Sequence, residues 1–417
     1  MRPKTTTSSA IGRTIRRVGG LSRPSHSNFV ATDAQRDGQS HSATGDPGNA
    51  GLTMPSAAVA VGTLALIMIA VFSRIADAAT PVAPVVSPFM YNVGIDYETF
   101  NTTAISADLT AVTKNFSLIR TYHDAAVGTG RPNIPQIDPG EAQVIRYVAS
   151  HSPIQLVMGT NNNALAQGGY GQPWSAGLMT NKSYTDQWVQ MVIRAFGGVD
   201  KAKKHLRSIL LGNEVDANGP PPTDRSFRDY YQRWIPESFD NLKASLSAGG
   251  LASIPISTTI ANYPMGYPPP TPPPPDVNVV AQSITAYITR YWSPGWNQDK
   301  PSVMFNQYTQ NGGKSTDFGP VQTYFQNLAA LLRNSPQVFV GETGYDAKFG
   351  EANEAKVIGS IFQWLAQQRQ SVRSTIPLFL FMAFDDPAQG QFGLYQRGPY
   401  RLKPGITIPS WVNVPRP

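Results

Sequence analysis

Eight short apolar runs, alternating with stretches of helical spacing, set the limits on what this chain can fold into. The runs fall at 90–97, 118–123, 154–160, 209–215, 256–261, 303–308, 338–341 and 378–384. Their length and their content of β-branched and aromatic residues predict strands. Helix-like segments at 143–149, 185–196, 227–246, 321–332 and 355–369 lie between them. In the second of these, Trp188, Val189, Val192 and Ile193 share one helical face, and Phe325, Leu328 and Leu332 do so in the fourth. Eight strands alternating with helices over about 300 residues predict an α/β chain closed into a (β/α)₈, or TIM, barrel. A doubly wound sheet is the rival fold, but it needs fewer strands and a phosphate-binding loop. The glycine-rich stretch Gln167-Gly168-Gly169-Tyr170-Gly171 lacks the Lys and the helix start of such a loop, and is expected to be a plain loop.

Two of the apolar runs end in the same way. Ile209-Leu210-Leu211 breaks off at Gly212-Asn213-Glu214, and Val338-Phe339-Val340 breaks off at Gly341-Glu342. In a parallel barrel the C-terminal strand ends gather on one face and carry the chemistry, so the two glutamates are expected to converge there. A facing pair of carboxyls is what hydrolysis of a glycosidic bond requires, one to protonate the leaving oxygen and one to attack or to activate water.

Composition narrows the alternatives. The chain holds no Cys, so disulfides, a thiolate nucleophile and thiolate metal sites are excluded. Five His without paired spacing argue against a zinc centre, and neither metal nor cofactor is expected. The net charge of +7 is uneven, since the first 80 residues carry eight Lys/Arg against four Asp/Glu and the remainder is only +3. That balance gives no footing for nucleic-acid binding. Residues 1–54 read as a disordered basic arm, and 55–79 as a signal peptide or signal anchor built on an apolar run with an Ala-x-Ala pattern ending at Ala78. Residues 88–400 are then the barrel and 401–417 a C-terminal tail. This arrangement places the barrel outside the cytoplasm, secreted or held at the cell surface, with membrane contact only through the hydrophobic segment. A proline-rich insertion at 263–275 follows the fifth run and would lie on the active face, as a stacking or guarding element or as a rigid excursion without a ligand.

Taken in order, the strand-end motifs resemble those of the family 17 glycoside hydrolases and their wider clan of barrels. The resemblance spreads over 88–396 and rests on Gly94-Ile95-Asp96-Tyr97, Ile119-Arg120-Thr121-Tyr122, Val157-Met158-Gly159-Thr160-Asn161-Asn162, Gly212-Asn213-Glu214-Val215, Asn306-Gln307-Tyr308, Gly341-Glu342-Thr343-Gly344-Tyr345 and the segment from Phe384-Asp385-Asp386 to Tyr395. It implies a retaining hydrolase of β-glucan, with β-1,3 linkages the expected target. Glu214 would be the acid/base and Glu342 the nucleophile. Asn213 would bond the sugar 2-hydroxyl, and Tyr308 would hold Glu342. Tyr97 and Tyr122 would line the site or orient the nucleophile, with strand-end packing the plain alternative for each tyrosine. Asp385 or Asp386 would touch substrate or simply cap a turn. Asp216, His123 and Trp174 are weaker candidates for sugar contacts. After the eighth strand the plant-type members carry a Lys and a Glu, whereas this chain reads Asp386-Pro387-Ala388-Gln389-Gly390-Gln391, so its substrate preference is expected to differ. Transglycosylation through the same covalent intermediate, and a non-catalytic carbohydrate-binding barrel, are the alternatives; each takes a polysaccharide or oligosaccharide partner.

Overall fold

The computed structural model describes residues 93–98, 103–122, 126–128, 131–169, 172–261, 290, 302–309, 315–331, 337–372, 378–387 and 389–413. The expectations for 1–54, 55–79 and 263–275, and for His123, lie outside these residues. Among the described residues, no helix is long and apolar enough to cross a membrane.

Eight parallel strands close into one barrel. They are β1 Val93–Asp96, β2 Leu118–Arg120, β3 Gln155–Gly159, β4 Leu206–Leu210, β5 Ile256–Ile260, β6 Ser302–Asn306, β7 Gln337–Thr343 and β8 Leu378–Leu380. Each pairs with its sequence neighbours, and β8 closes on β1 through Val93 opposite Leu378 and Ile95 opposite Leu380. Helices cover the outside: α1 Ile105–Val112, α2 Pro139–Ser150, α3 Lys182–Phe196, α4 Val199–His205, α5 Ile235–Ala248, α6 Gly319–Leu331 and α7 Glu351–Val372. Local chemistry sets several of the boundaries. Asp138 caps α2 by accepting from the amides of Gly140 and Glu141, ahead of a proline at the first helical position. Gly197, at φ +82°, ends α3 in the left-handed conformation.

Side chains sort by strand period into two separate apolar clusters. Leu118, Val157, Leu210, Met304, Phe339 and Phe379 pack together inside the barrel. Their neighbours Ile119, Met158, Ile209, Leu211, Val303, Phe305, Val338, Val340, Leu378 and Leu380 pack outward against the helices. Two residues further along the strands the inward period reaches polar side chains on β1, β2, β5 and β6 and glycines on β3 and β7. Arg120 follows Leu118, Asn306 follows Met304 and Gly341 follows Phe339, while Asp96 and Thr259 occupy the matching places on β1 and β5. The glycine at position 94 makes room beneath this layer, since a Cβ there would meet the Phe379 ring at 2.5 Å.

Three expectations differ in detail. The fourth strand starts earlier than the apolar run suggested and stops at Leu210, because Gly212 (φ +71°) and Glu214 (φ +51°) turn the chain out of extended conformation. The glycine-rich stretch is not a plain loop: Ala166–Gly169 pairs antiparallel with Gln172–Ala176, and Gly169 (φ +83°) approaches the Trp174 ring where a Cβ would sit at 2.9 Å. Trp174 thus packs on the core. The expected tail is built into the barrel wall as far as Asn413. Arg401–Leu402 pairs with Tyr395–Gln396, and the buried Lys403 ammonium reaches Glu354 at 3.3 Å and Asp385 at 2.9 Å. Beyond it, Trp411 meets Phe362 edge to face.

Candidate active site

The polar layer at the strand ends converges on one guanidinium. Arg120, at the end of β2 and 1 % exposed, donates through Nη2 to Asn213 Oδ1 at 3.0 Å and Thr259 Oγ1 at 3.3 Å. Its Nη1 donates to the carbonyl of Gly341 and lies 3.4 Å from Glu342 Oε1 and 3.5 Å from Asp96 Oδ1. Asn306, at the end of β6, donates from Nδ2 to Asn213 Oδ1 and to Glu214 Oε1, each at 3.2 Å. Tyr308 donates its hydroxyl to Glu342 Oε2 at 2.7 Å. The two glutamates are therefore tied into one network, Glu214 through Asn306 and Glu342 through Arg120 and Tyr308, with Asn213 as the shared acceptor.

Backbone irregularity is what aims both acids. Along β6 and β7, Phe305 sits opposite Val340 but Asn306 sits opposite Glu342, so one residue of β7 is skipped as a bulge at Gly341. A side chain at that position would meet Asn306 Oδ1 at 2.7 Å and Arg120 Nη1 at 3.4 Å, so glycine is needed for the network to close. After β4 the loop is held by the neighbouring strand end. Thr160 Oγ1 accepts from the Gly212 amide at 2.8 Å, and Asn162 Oδ1 accepts from the Asn213 amide at 2.9 Å. A Cβ at Gly212 would meet Leu165, Val215 and Asn162 within 2.9 Å. Glu214 then takes a left-handed φ of +51°, a conformation that a non-glycine residue keeps only when its surroundings impose it.

The electrostatics separate the two carboxyls. Burial, and behind it the charge on Glu342, raises Glu214 from 4.5 to about 7, against the opposing hydrogen bond from Asn306 and the Arg120 charge. Glu342 instead sits between the Arg120 guanidinium and the Tyr308 hydroxyl. Burial, with the Glu342 charge next, drives the Tyr308 phenol well above its ordinary range, so it stays a donor. A carboxyl that keeps its proton up to about pH 7, beside a second carboxyl gripped by a guanidinium and a phenol hydroxyl, is an arrangement suited to acid catalysis with a nucleophile or charge stabiliser.

Of the residues singled out in the sequence, Glu214, Glu342, Asn213 and Tyr308 lie in this network. Tyr122 lies at its edge, with the Arg120 guanidinium 4.3 Å above its ring and Phe381 edge-on at 6.5 Å. Tyr97 is placed elsewhere. It is 1 % exposed and donates to Asp108 of α1 at 3.0 Å, which is the packing alternative. Asp385 is also turned away, accepting from the Gly393 amide at 2.8 Å and from Lys403. Asp386 caps a tight turn, its carbonyl accepting from Gly390. Asp216 neither tunes the site by direct contact nor opens to a ligand: its carboxylate accepts the Ala261 amide at 2.6 Å and clamps the end of β5. Arg120, Asn306, Thr259 and Asp96 were not singled out as site residues. The signal that finds them is the inward strand period, which places Arg120 beyond Leu118, Asn306 beyond Met304, Asp96 beyond Gly94 and Thr259 beyond Ser257.

Three solved structures frame the fold. An intracellular xylanase from Thermoanaerobacterium saccharolyticum aligns at 11 % identity over 78 % of this chain and 95 % of its own, with a TM-score of 0.50. A plant β-glucan endohydrolase aligns at 15 % identity over 72 % of this chain and 96 % of its own, with a TM-score of 0.49. An endo-laminarinase from Formosa aligns at 14 % identity over 73 % and 84 %, with a TM-score of 0.48. No family model and no curated protein matches the chain. At 11 % identity the likeness to the xylanase is one of fold alone, and the closed eight-stranded parallel barrel described above is a (β/α)₈ fold.

Proposed function

We propose that this chain is a retaining glycoside hydrolase acting on β-glucan, with β-1,3 linkages the preferred target. The observation that carries the reading is the pairing of a buried Glu214, bonded by Asn306 and raised to about 7, with an Arg120- and Tyr308-held Glu342 past the C-terminal end of β4 and on β7. Glu342 attacks the anomeric carbon while Glu214 delivers its proton to the leaving oxygen, giving a glycosyl-enzyme and a free alcohol. Glu214, now a carboxylate, takes a proton from water, and the hydroxide equivalent displaces Glu342 to restore both groups. The ionic balance of the network is unchanged across the first step, because one negative charge leaves Glu342 as another appears on Glu214. Transfer to a sugar hydroxyl in place of water uses the same intermediate and is the second reading. The β-1,3 preference rests on the sequence resemblance. The apolar segment at 55–79 supports an exported enzyme.

The test is product analysis on a β-1,3-glucan such as laminarin, with β-1,4-glucan and xylan beside it. Release of reducing sugar with the β configuration from the first polymer alone supports the full reading. Elongated oligosaccharides shift it to transfer, and an inert protein on all three polymers overturns it. A second expectation concerns the bulge. Gly341→Ala pushes a methyl group into Asn306 and Arg120, and a displacement of this size at a catalytic site lowers kcat on the order of 10- to 100-fold. Melting should fall by no more than an overpacked core site warrants, about 1–3 kcal/mol. A variant with wild-type kcat would show that the network tolerates the shift.

A further inference from the structure

A third carboxyl belongs to this site. Asp96 ends β1 fully buried, with Oδ1 3.5 Å from Arg120 Nη1. That nitrogen is shared with Glu342 at 3.4 Å and with the Gly341 carbonyl. Asp96 Oδ2 is buried, and the neighbour facing it is the hydroxyl of Tyr122, which is buried as well. Asp96, Glu214 and Glu342 thus surround one guanidinium, which can balance one negative charge. Glu342 has Tyr308 as well as Arg120, and Glu214 has Asn306, so Asp96 is the least solvated of the three. An ionised carboxylate this deeply buried, whose one cation is 3.5 Å away and shared with Glu342, is costly, whereas a protonated one keeps its contact with Tyr122 and asks nothing of Arg120.

We propose that Asp96 is a positioning residue that works as a neutral acid, filling the space beside Arg120 without drawing on its charge, so that the guanidinium stays committed to Glu342. The proposal rests on Glu342 being the nucleophile of the reaction described above. The balance of burial and facing groups at Asp96 agrees with it. Burial raises its pKa well above the usual carboxylate range; Arg120 opposes this, the Glu342 charge adds to it, Tyr122 from the end of β2 opposes, and Glu98 just past β1 adds. A negative Asp96 would compete with Glu342 for Nη1 and weaken the nucleophile's hold.

The experiment pairs infrared difference spectroscopy with kinetics on the full chain. The wild-type minus Asp96→Asn spectrum at pH 7 should show the carbonyl stretch of a protonated carboxyl, lost in the variant. On a β-glucan, Asp96→Asn, which keeps shape and neutrality, should hold kcat within about threefold of wild type, while Asp96→Ala, which frees Arg120 to move, should lose about tenfold or more with KM little changed. A carboxylate stretch in place of the carbonyl band overturns the proposal. So does an Asp96→Asn variant as impaired as Asp96→Ala. If Asp96→Ala fails to fold, the infrared band and the Asp96→Asn kinetics decide alone. An inert wild-type protein would sink the hydrolase reading while the infrared band still reports the proton on Asp96, so the two failures are told apart.

Discussion

Glu342→Ala is expected to lower kcat on a β-glucan by about 10⁴-fold, the scale seen when a nucleophile is deleted from an otherwise intact site. The cavity left by the side chain lies between Arg120 and Tyr308, and both remain to receive a small anion. Azide supplied to this variant should therefore restore turnover of an aryl β-glucoside with a good leaving group. It forms the carbon–nitrogen bond as Glu214 protonates the departing oxygen, and the glycosyl azide carries inverted configuration. Rescue with inversion identifies Glu342 as the residue that attacks. A Glu342→Ala protein within tenfold of wild type would remove it from that role. So would azide rescue seen in Glu214→Ala, with an inverted product, but not in Glu342→Ala.

The second large effect concerns the proton on Glu214. With its pKa at about 7, the acid form is present below that value and is lost above it, so kcat/KM should fall about tenfold per pH unit on the alkaline side of pH 7. Glu214→Gln should lose about 10²- to 10⁴-fold on a polysaccharide, less on an aryl glycoside whose leaving group needs no proton, and the alkaline limb should vanish. The same shift has a stability consequence of fixed sign. The folded chain holds this proton more tightly than the unfolded one, so the stabilisation is complete below 4.5 and is lost as pH rises through about 7. The loss is at most about 3 kcal/mol, and smaller to the extent that the half-buried carboxyl meets solvent. Glu214→Gln should accordingly melt higher than wild type at pH 8 and no higher at pH 4. Equal melting temperatures at pH 8 would mean that folding does not raise the pKa of this carboxyl.

The parts of this molecule that could be read from the sequence are those governed by period and by chain reversal. Eight apolar runs gave eight strands because each strand is covered on its outer face by helices and filled on its inner face by Leu118, Val157, Leu210, Met304, Phe339 or Phe379, or carries small residues there. The Gly-Asn-Glu and Gly-Glu breaks were legible because glycine at those points answers a geometric demand, a left-handed turn at Gly212 and a close approach at Gly341. The start of β4 was obscured by Arg207 and Ser208, polar residues that are buried nonetheless. Two short helices, Ile105–Val112 and Val199–His205, were passed over because seven or eight residues hold too few turns to display a period. Tyr97 misled because a strand-end aromatic looks the same whether it turns to the site or to a helix, and Asp108, eleven residues on, settles the matter. Arg120 and Asp96 stayed hidden for a different reason. A buried charge is invisible to hydrophobic patterning, and the partners that make it tolerable come from β4, β5 and β7, far away in the chain.

Asn213 gives the network a polarity that the barrel cannot reverse. Arginine has only hydrogens to offer, so the amide oxygen must turn toward Arg120, and Asn306 uses that oxygen too. The amide cannot flip without losing both bonds, and what remains for any visitor is its NH₂ group. A sugar hydroxyl arriving at this point is compelled to act as an acceptor toward Asn213 and to direct its own hydrogen elsewhere, beside a Glu214 that is itself offering a proton. What Asn213 presents to the open side is thus decided by an amide orientation enforced from behind, by Arg120.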